Sequence, residues 1–293
     1  MKIGLVDVDG HNFPNLCLMK ISAYHKSKGD NVSWAGSLEW YDKVYMAKVF
    51  DFTPDDYQSY QTRELIRGGT GYSLINRLPC EIENVFPDYS IYEIKDIAYG
   101  YLTRGCPRGC EFCIVGQKEG LKSYKVANLS QFWNGQKYIK LLDPNLLACS
   151  DWKEIMQQLV DSRVKVDFTQ GLDIRLMTQS KQDMLNNMRI EVIHFAWDNF
   201  PDDNTYKMLK KYRPGFHFRG RQLKVYVLTN FNTTHTQDLE RIYRLRDLDY
   251  DPYIMIYNKY NAPKETRYLQ RWVNNKQIFR TIEKFEDYDH RIG

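Results

Sequence analysis

The order of apolar runs and helical segments is the feature that most limits the fold of this 293-residue chain. From about residue 96 onward, apolar runs of strand length alternate with segments whose apolar residues recur at helical spacing. We predict six strands, in the ranges 97–103, 138–143, 164–169, 192–197, 223–229 and 253–257. Helices are predicted to begin near Asp151, Thr236 and Pro263. Strands separated by helices favour parallel pairing through right-handed crossovers, so the sequence predicts an α/β fold.

The first 95 residues show a separate alternation of strands and helix. Strands are predicted over 2–8, 32–34, 43–50 and 65–67, and a helix over 15–28. The last of these strands leads into Gly68-Gly69-Thr70-Gly71, and a glycine turn after a strand lets a ligand approach the backbone closely. We therefore predict a small Rossmann-like domain over 1–95 and a larger domain over 96–293 that ends in a helical tail. The chain lacks GxGxxG, so no dinucleotide site is predicted.

Composition limits the class of protein. The net charge is only +4, so no strong overall field favours a nucleic-acid partner. No apolar run approaches the roughly 18 to 20 residues that a membrane span needs. The start of the chain leads directly into a strand without a signal-peptide pattern, and six cysteines are too few for a disulfide scaffold. We expect a cytoplasmic protein with no membrane contact.

Three cysteines lie in the nine-residue run GCPRGCEFC at 105–113. Cys106, Cys110 and Cys113 form a CxxxCxxC pattern, which supplies three thiolates from one loop. An electron-carrying iron-sulfur cluster usually has four cysteines, so three leave one iron of a cubane open to a substrate. A structural zinc site needs four ligands, commonly in two pairs, and the remaining cysteines are isolated; these are Cys17, Cys80 and Cys149. The pattern favours a 4Fe-4S cluster with an open iron, and zinc is the alternative.

With Phe112 before its last cysteine, the loop resembles the signature of the radical S-adenosylmethionine (SAM) superfamily. The resemblance implies that Cys106, Cys110 and Cys113 hold a 4Fe-4S cluster and that SAM chelates its open iron. One electron then cleaves SAM to a 5'-deoxyadenosyl radical, which serves hydrogen abstraction or group transfer. The resemblance further implies a partial (β/α)6 TIM-like barrel, with the cysteine loop after its first strand, and a reductase or flavodoxin-type electron donor.

In such barrels the reacting groups lie at the carboxyl ends of the strands, where this sequence places several polar residues. Together with Phe112, these residues are expected to bind SAM. Asp143 follows the second strand and is expected to accept a hydrogen bond from the SAM ammonium group or, with Asn145, to cap the next helix. Gln170, Asp173 and Arg175 follow the third strand and are candidates for the ribose hydroxyls and the carboxylate. An internal ion pair between Asp173 and Arg175 is the alternative.

Two candidate catalytic residues come from the fourth strand. Alternation directs His194 and Asp198 to the same side of the sheet. A histidine inside a strand is more often a hydrogen-bonded core residue than a catalyst, so Asp198 is the stronger candidate. Asn230 after the fifth strand is expected to line the same cavity. Lys259 after the sixth is expected to meet an acidic substrate or to be solvated.

The N-terminal region resembles a shortened cobalamin-binding domain, which precedes the barrel in one branch of radical SAM enzymes. Asp9, His11 and Pro14 form DxHxxP, where some cobalamin proteins have DxHxxG and use the histidine as the lower cobalt ligand. Pro14 therefore departs from that pattern. The resemblance makes cobalamin-dependent methyl transfer an alternative to hydrogen abstraction.

A basic segment at 207–224 raises a different class of function. It contains seven lysine and arginine residues, interleaved with Tyr212, Phe216 and Phe218. Cations with aromatic rings suit phosphate contacts and base stacking, although a solvated helix face gives the same pattern. The substrate class therefore stays open among small molecules, peptides and nucleic acids. The alternative to an enzyme is a nucleic-acid-binding module without catalysis, in which the three loop cysteines hold a structural metal.

Overall fold

The computed structural model describes residues 1–10 and 13–291 and shows an α/β fold with parallel sheets. By its internal contacts the chain divides into two compact units, one of residues 1–100 with 128–137 and one of 101–127 with 138–293. His11 lies outside the described residues, so its expected role stays a prediction. Over the described part of the chain, no helix combines the length and apolar character that crossing a bilayer requires.

The first unit is built on four parallel strands. Its elements are β1 (Lys2–Asp7), α1 (Leu16–Ser27), β2 (Asn31–Trp34), β3 (Trp40–Ala47), β4 (Gln61–Gly68), α2 (Cys80–Glu83) and β5 (Ile97–Gly100). The sheet has the order β2-β1-β3-β4, and each neighbouring pair is parallel. Asn15 caps α1 because its side chain accepts hydrogen bonds from two backbone N–H groups of the first turn.

Two apolar clusters stabilise this sheet. Ile3 and Leu5 of β1 pack with Leu18 of α1, whereas Val6 packs with a separate cluster that includes Tyr41 of β3. The alternation along β1 therefore sends successive side chains into different clusters. Strand β4 is longer than its predicted range of 65–67. Its first residues are polar and partly exposed at the sheet edge, so the apolar pattern used for the prediction does not include them.

Two glycines of the turn after β4 pack closely against protein, whereas a Cβ on Gly68 would meet nothing within 4 Å. Gly69 has φ 93°, and a Cβ there would lie 2.3 Å from the carbonyl oxygen of Lys48. A Cβ on Gly71 would lie 2.7 Å from the carbonyl oxygen of Phe50. Only glycine fits at this approach, so the turn serves chain packing at these two positions.

The second unit carries the other elements. They are β6 (Thr103–Arg104), α3 (Val115–Glu119), β7 (Tyr124–Lys125), β8 (Tyr138–Leu141), α4 (Trp152–Ser162), β9 (Lys165–Phe168), α5 (Gln179–Asn186), β10 (Arg189–Ala196), α6 (Asp203–Tyr212), β11 (Leu223–Thr229), α7 (His235–Asp247), β12 (Asp251–Ile256), α8 (Lys264–Asn274) and α9 (Lys276–Thr281). Strands β8 to β12 follow one another in sheet order and pair in parallel. All six predicted strands from residue 97 onward are present, as are the three predicted helices, α4, α7 and α8.

The faces of this sheet differ in polarity. One face is apolar and includes Val166 and Phe195, both 0% exposed. The other face is polar: Lys140 pairs in register with Asp167, and His194 pairs with Lys224. Parallel sheets usually bury apolar side chains on both faces. The polar face of this sheet departs from that rule, and it can accommodate charged groups.

Candidate functional site

The cysteine loop is closed at its base by the short antiparallel pair of β6 and β7. Glu119, in the helix inside the loop, accepts hydrogen bonds from Arg104 Nη1 at 2.7 Å and from the Gly105 backbone N–H at 3.0 Å. Gly105 has φ 79°, and a Cβ there would lie 2.1 Å from the carbonyl oxygen of Lys122. The loop conformation therefore requires glycine at this position.

The three cysteines are half-buried. Burial raises the pKa of Cys110, and the negative charges of Asp198 and of the other two cysteines raise it further. Burial likewise raises the pKa of Cys113, with additional contributions from Cys106 and Asp198. Asn145 Nδ2 lies 3.4 Å from Cys106 Sγ and donates a hydrogen bond to it. The thiols therefore influence one another electrostatically, and binding a positively charged metal group would favour their deprotonated forms.

The three thiols can be compared with the needs of the two metal groups considered from the sequence, a 4Fe-4S cluster and a zinc ion. In a cubane cluster each cysteine ligates a different iron, and three cysteines leave the fourth iron free. A single tetrahedral zinc ion brings its sulfur ligands to about 3.8 Å from one another, given bonds of about 2.3 Å. Within residues 1–10 and 13–291, no group of three or more His, Cys, Asp or Glu side chains is placed to hold one metal ion. Three thiols from one loop are a donor set suited to a cluster with one open iron, whereas a structural zinc ion needs a fourth ligand.

Asp173 links the cysteine loop to the end of β9. Its carboxylate accepts hydrogen bonds from Arg108 Nε, between the first two loop cysteines, and from Arg175 Nε at 2.8 Å. Burial opposes ionisation of Asp173, but hydrogen bonds and charge from the two arginines outweigh it and lower its pKa. Arg175 also donates from Nη1 to Asp202 at 3.0 Å. The internal pair of Asp173 and Arg175, the alternative in the sequence interpretation, is present, and Arg108 extends it to the loop.

Asp143 supports the chain immediately before the loop. Its Oδ1 accepts hydrogen bonds from the Leu102 N–H at 3.1 Å, the Thr103 Oγ1 hydroxyl at 2.7 Å and the Thr103 N–H. Burial raises the pKa of Asp143 to about 6 even though these hydrogen bonds favour the carboxylate. Asn145 makes no side-chain cap bond to the following helical turn. Asp143 therefore fixes the strand end that leads into the cysteine loop.

Phe112 begins a row of aromatic contacts across the ends of β11 and β12. Its ring lies edge-on to Phe231 at 5.5 Å, and Phe231 lies edge-on to Tyr257 at 4.9 Å. Asn230, with φ 61°, donates from Nδ2 to the Tyr257 carbonyl at 2.8 Å. Sequence reasoning missed Phe231 and Tyr257, although an aromatic residue within two positions of the end of each strand was the available signal.

The two candidate catalytic residues lie in different surroundings. Burial raises the pKa of Asp198 to about 6, and this carboxyl also raises the pKa of Cys110. His194 is 8% exposed, its Nδ1 lies 3.1 Å from the Phe168 carbonyl, and its ring stacks on Tyr226. Burial lowers the pKa of His194 to about 4, so the ring is neutral at neutral pH. Asp198 is thus placed near the thiols, while His194 is hydrogen-bonded and stacked within the sheet.

Arg241 on α7 organises two strand ends and was not predicted. It is 0% exposed and donates from Nη1 to the Trp197 carbonyl at 2.5 Å and from Nη2 to the Leu228 carbonyl at 2.7 Å. Nη2 also donates to Asp238 Oδ1 at 2.6 Å. The buried pair of Arg241 and Asp238 therefore supports the chain segments after β10 and β11, next to Asp198.

Several other predicted residues lie apart from this arrangement. Gln170 and Lys259 are exposed. Cys149 is 1% exposed, consistent with a small buried side chain. In the basic segment, Tyr212 and Phe216 are 7% and 5% exposed, so neither ring is available for base stacking. Up to Tyr212 the segment belongs to α6, which has a charged outer face and an apolar inner face, whereas Phe216 and the half-buried Phe218 lie beyond the helix.

The cysteine loop meets groups that follow four consecutive strands of the sheet. Asn145 follows β8, Asp173 follows β9, Asp198 follows β10 and Phe231 follows β11. Groups after successive parallel strands meet at one edge of a sheet, where α/β proteins place their ligands. No protein-family model matches the chain, and no curated protein is significantly similar to it.

Proposed function

We propose that this chain is a radical SAM enzyme with one 4Fe-4S cluster held by Cys106, Cys110 and Cys113. The observation that carries the proposal is the position of the CxxxCxxC loop at the carboxyl ends of four parallel strands, where Asn145 and Asp173 hold it. A cluster bound there supplies the electron that cleaves SAM to a 5'-deoxyadenosyl radical. A reductase or flavodoxin-type protein is the expected donor, and a cytoplasmic location suits an oxygen-sensitive centre.

The residues around the loop have distinct parts in this proposal. Asn145 donates to Cys106 Sγ, and a hydrogen bond to a thiolate stabilises its negative charge. Asp173 keeps Arg108 and Arg175 at the site, so their guanidinium groups are held close to where a SAM carboxylate would bind. Phe112 and Phe231 supply apolar surface beside the cysteines. Asp198 is the nearest candidate for holding or moving a proton of the substrate.

The proposed fold is the partial (β/α)6 TIM-like barrel, preceded by a Rossmann-like domain. The polar face of β8 to β12 supports this proposal, because charged side chains suit the interior of an open barrel that admits a substrate. Hydrogen abstraction and radical group transfer both remain within the proposal. Cobalamin-dependent methyl transfer has less support, because Gly69 and Gly71 of the turn after β4 pack on Lys48 and Phe50.

The decisive experiment is anaerobic reconstitution with iron and sulfide, followed by reduction in the presence of SAM. We expect about four irons per chain, brown absorption, and formation of 5'-deoxyadenosine or S-adenosylhomocysteine. Serine at any one of the three loop cysteines should abolish iron loading, whereas the matched change Cys149→Ser should not. A fully loaded protein that yields neither product, or zinc as the only bound metal after aerobic purification, contradicts the proposal.

A further inference from the structure

The first unit contains a cavity of about 380 Å³ that the cysteine chemistry does not use. Small-molecule sites in proteins commonly begin at about this size. Its walls come from the end of β1, the end of β2, the segment before β4, and a residue after α2; the lining residues are Leu5, Val6, Asp7, Trp34, Ala35, Asp56, Tyr60 and Tyr92. All of them belong to the first unit.

The strand order places this cavity where parallel sheets bind ligands. From β1 the chain moves to β2 on one side of the sheet, and then to β3 and β4 on the other side. Ligands of open α/β sheets bind beyond the carboxyl ends of the strands, near such a reversal. Asp7 is the last residue of β1 and Trp34 is the last residue of β2, so both stand at that edge.

The polar groups of the cavity accept hydrogen bonds and carry negative charge. Among residues 1–10 and 13–291, its lining includes two carboxylates and no lysine, arginine or histidine. Tyr92 donates its hydroxyl proton to Asp7 Oδ2 at 2.5 Å, and Tyr60 donates to Asp56 Oδ2 at 2.6 Å. Asp7 Oδ1 is buried and accepts no hydrogen bond from the described residues. The backbone N–H groups of Asp9 and Gly10 also act on the Asp7 carboxyl and lower its pKa, and a ligand that brings hydrogen-bond donors would complete the partners of this oxygen.

Burial makes the Asp7 carboxylate costly in the absence of a partner. The pKa of Asp7 is raised, with burial as the largest cause. A cation beside Oδ1 would offset that cost and satisfy the open acceptor at the same time. A neutral hydroxyl donor would satisfy the acceptor but would leave the charge uncompensated.

Aromatic rings flank the same carboxylate. Trp34 and Tyr92 lie edge to face, with ring centroids 5.0 Å apart. Trp34 is 43% exposed and is held in place by a hydrogen bond from its Nε1 to the Ile91 carbonyl at 3.0 Å. A large exposed ring that is also fixed by a hydrogen bond is suited to a ligand, because little side-chain freedom is lost on binding. The faces of tryptophan and tyrosine attract cations.

We propose that this cavity binds an organic cation, a ligand that carries an ammonium or guanidinium group on a short apolar chain. The cationic group donates to Asp7 Oδ1 and lies against the rings of Trp34 and Tyr92. The apolar chain lies along Val6 and Ala35, which belong to the same apolar cluster. Asp56 adds a second negative charge to the cavity. This site is independent of the proposed cluster, since its residues and the cysteine loop belong to different units.

The test is a calorimetric titration of the full chain with n-butylguanidinium chloride and n-butylammonium chloride, with n-butanol as the neutral analogue. We expect both cations to bind at least tenfold more tightly than n-butanol. Asp7→Asn should weaken cation binding at least tenfold, and Trp34→Leu about fivefold. The matched control Trp40→Leu alters a tryptophan that is 53% exposed and lies outside the cavity, and it should leave binding unchanged.

Thermal unfolding of each variant shows whether its fold is retained, and Trp34→Leu keeps the test valid if Asp7→Asn does not fold. Equal binding of cations and n-butanol overturns the proposal. So does adenosine binding more tightly than either cation, which would indicate a nucleoside site. An equal loss of binding in Trp34→Leu and Trp40→Leu also overturns it. None of these readouts depends on iron loading or SAM cleavage, so failure here is distinguishable from failure of the radical SAM proposal.

Discussion

The neutral, buried state of His194 makes the stability of the protein depend on pH in a defined direction. Its pKa is lowered to about 4 in the folded protein, first by burial and then by the charges of Lys224 and Lys140. An unfolded histidine titrates near 6.5. Between about pH 4 and pH 6.5, His194 is therefore protonated in the unfolded chain and neutral in the folded chain. This contribution to stability is complete above pH 6.5 and is lost as the pH falls toward 4.

The magnitude follows from the two pKa values. Between pH 7.5 and pH 4.5 the loss is about 2.5 kcal/mol, because one pKa unit corresponds to about 1.36 kcal/mol and the folded form is partly protonated at pH 4.5. His194→Phe removes the titrating group and keeps a ring to stack on Tyr226. The difference in unfolding free energy between the native protein and this variant should therefore fall by about 2.5 kcal/mol over that range.

Urea denaturation followed by circular dichroism at several pH values measures this difference. His217→Gln is the matched control because His217 is exposed, and its substitution should leave the pH dependence unchanged. Parallel stability curves for the native protein and His194→Phe, within about 0.5 kcal/mol, would refute the reasoning. Such a result would indicate that His194 holds a proton in the folded protein.

Three further predictions concern the support of the cysteine loop. Gly105→Ala should destabilise the protein by at least about 3 kcal/mol because its Cβ meets a carbonyl, whereas Gly29→Ala, also at positive φ but in open space, should cost about 1 kcal/mol; similar losses in urea denaturation contradict this. Asp173→Asn should lower stability by about 1 to 2 kcal/mol and shorten iron retention, measured as iron per chain after chelator treatment; unchanged retention contradicts the link to the loop. Arg241→Met should cost about 3 to 5 kcal/mol because Asp238 is left unpaired in the interior, and a neutral effect on the unfolding midpoint would contradict it.

The positions of the strands could be predicted from local pattern. The range predicted for the fifth strand of the larger region, 223–229, agrees with β11 at Leu223–Thr229. Its apolar residues alternate with Lys224 and Tyr226, and that alternation is a property of neighbouring residues alone. Strand β4 begins earlier than predicted because its first residues are polar, and strand β3 begins at Trp40 rather than at residue 43; the pairing of these first residues is with each other across the sheet. Local pattern carries no information on such pairing.

The site was predictable only in part, for a similar reason. The cysteine spacing identified the loop, and Asp173 and Arg175 were found because both follow one strand. Arg241 was missed because a charged residue on an amphipathic helix is normally solvated, while its carbonyl partners come from two other strands. Asp143 was predicted to contact SAM or to cap a helix, and its carboxylate accepts hydrogen bonds from Leu102 and Thr103, 41 and 40 residues earlier in the chain.

The shared carboxylate of Asp173 has a consequence for how the protein recovers from oxidation. Because Arg108 is tied to the end of β9 through Asp173, the loop has an attachment to the sheet in addition to any metal that its cysteines bind. If the loop holds a cluster as proposed, loss of iron to oxygen leaves the three thiols at the same edge of the sheet. Repair then requires only the supply of iron, sulfide and reductant, without refolding of the chain.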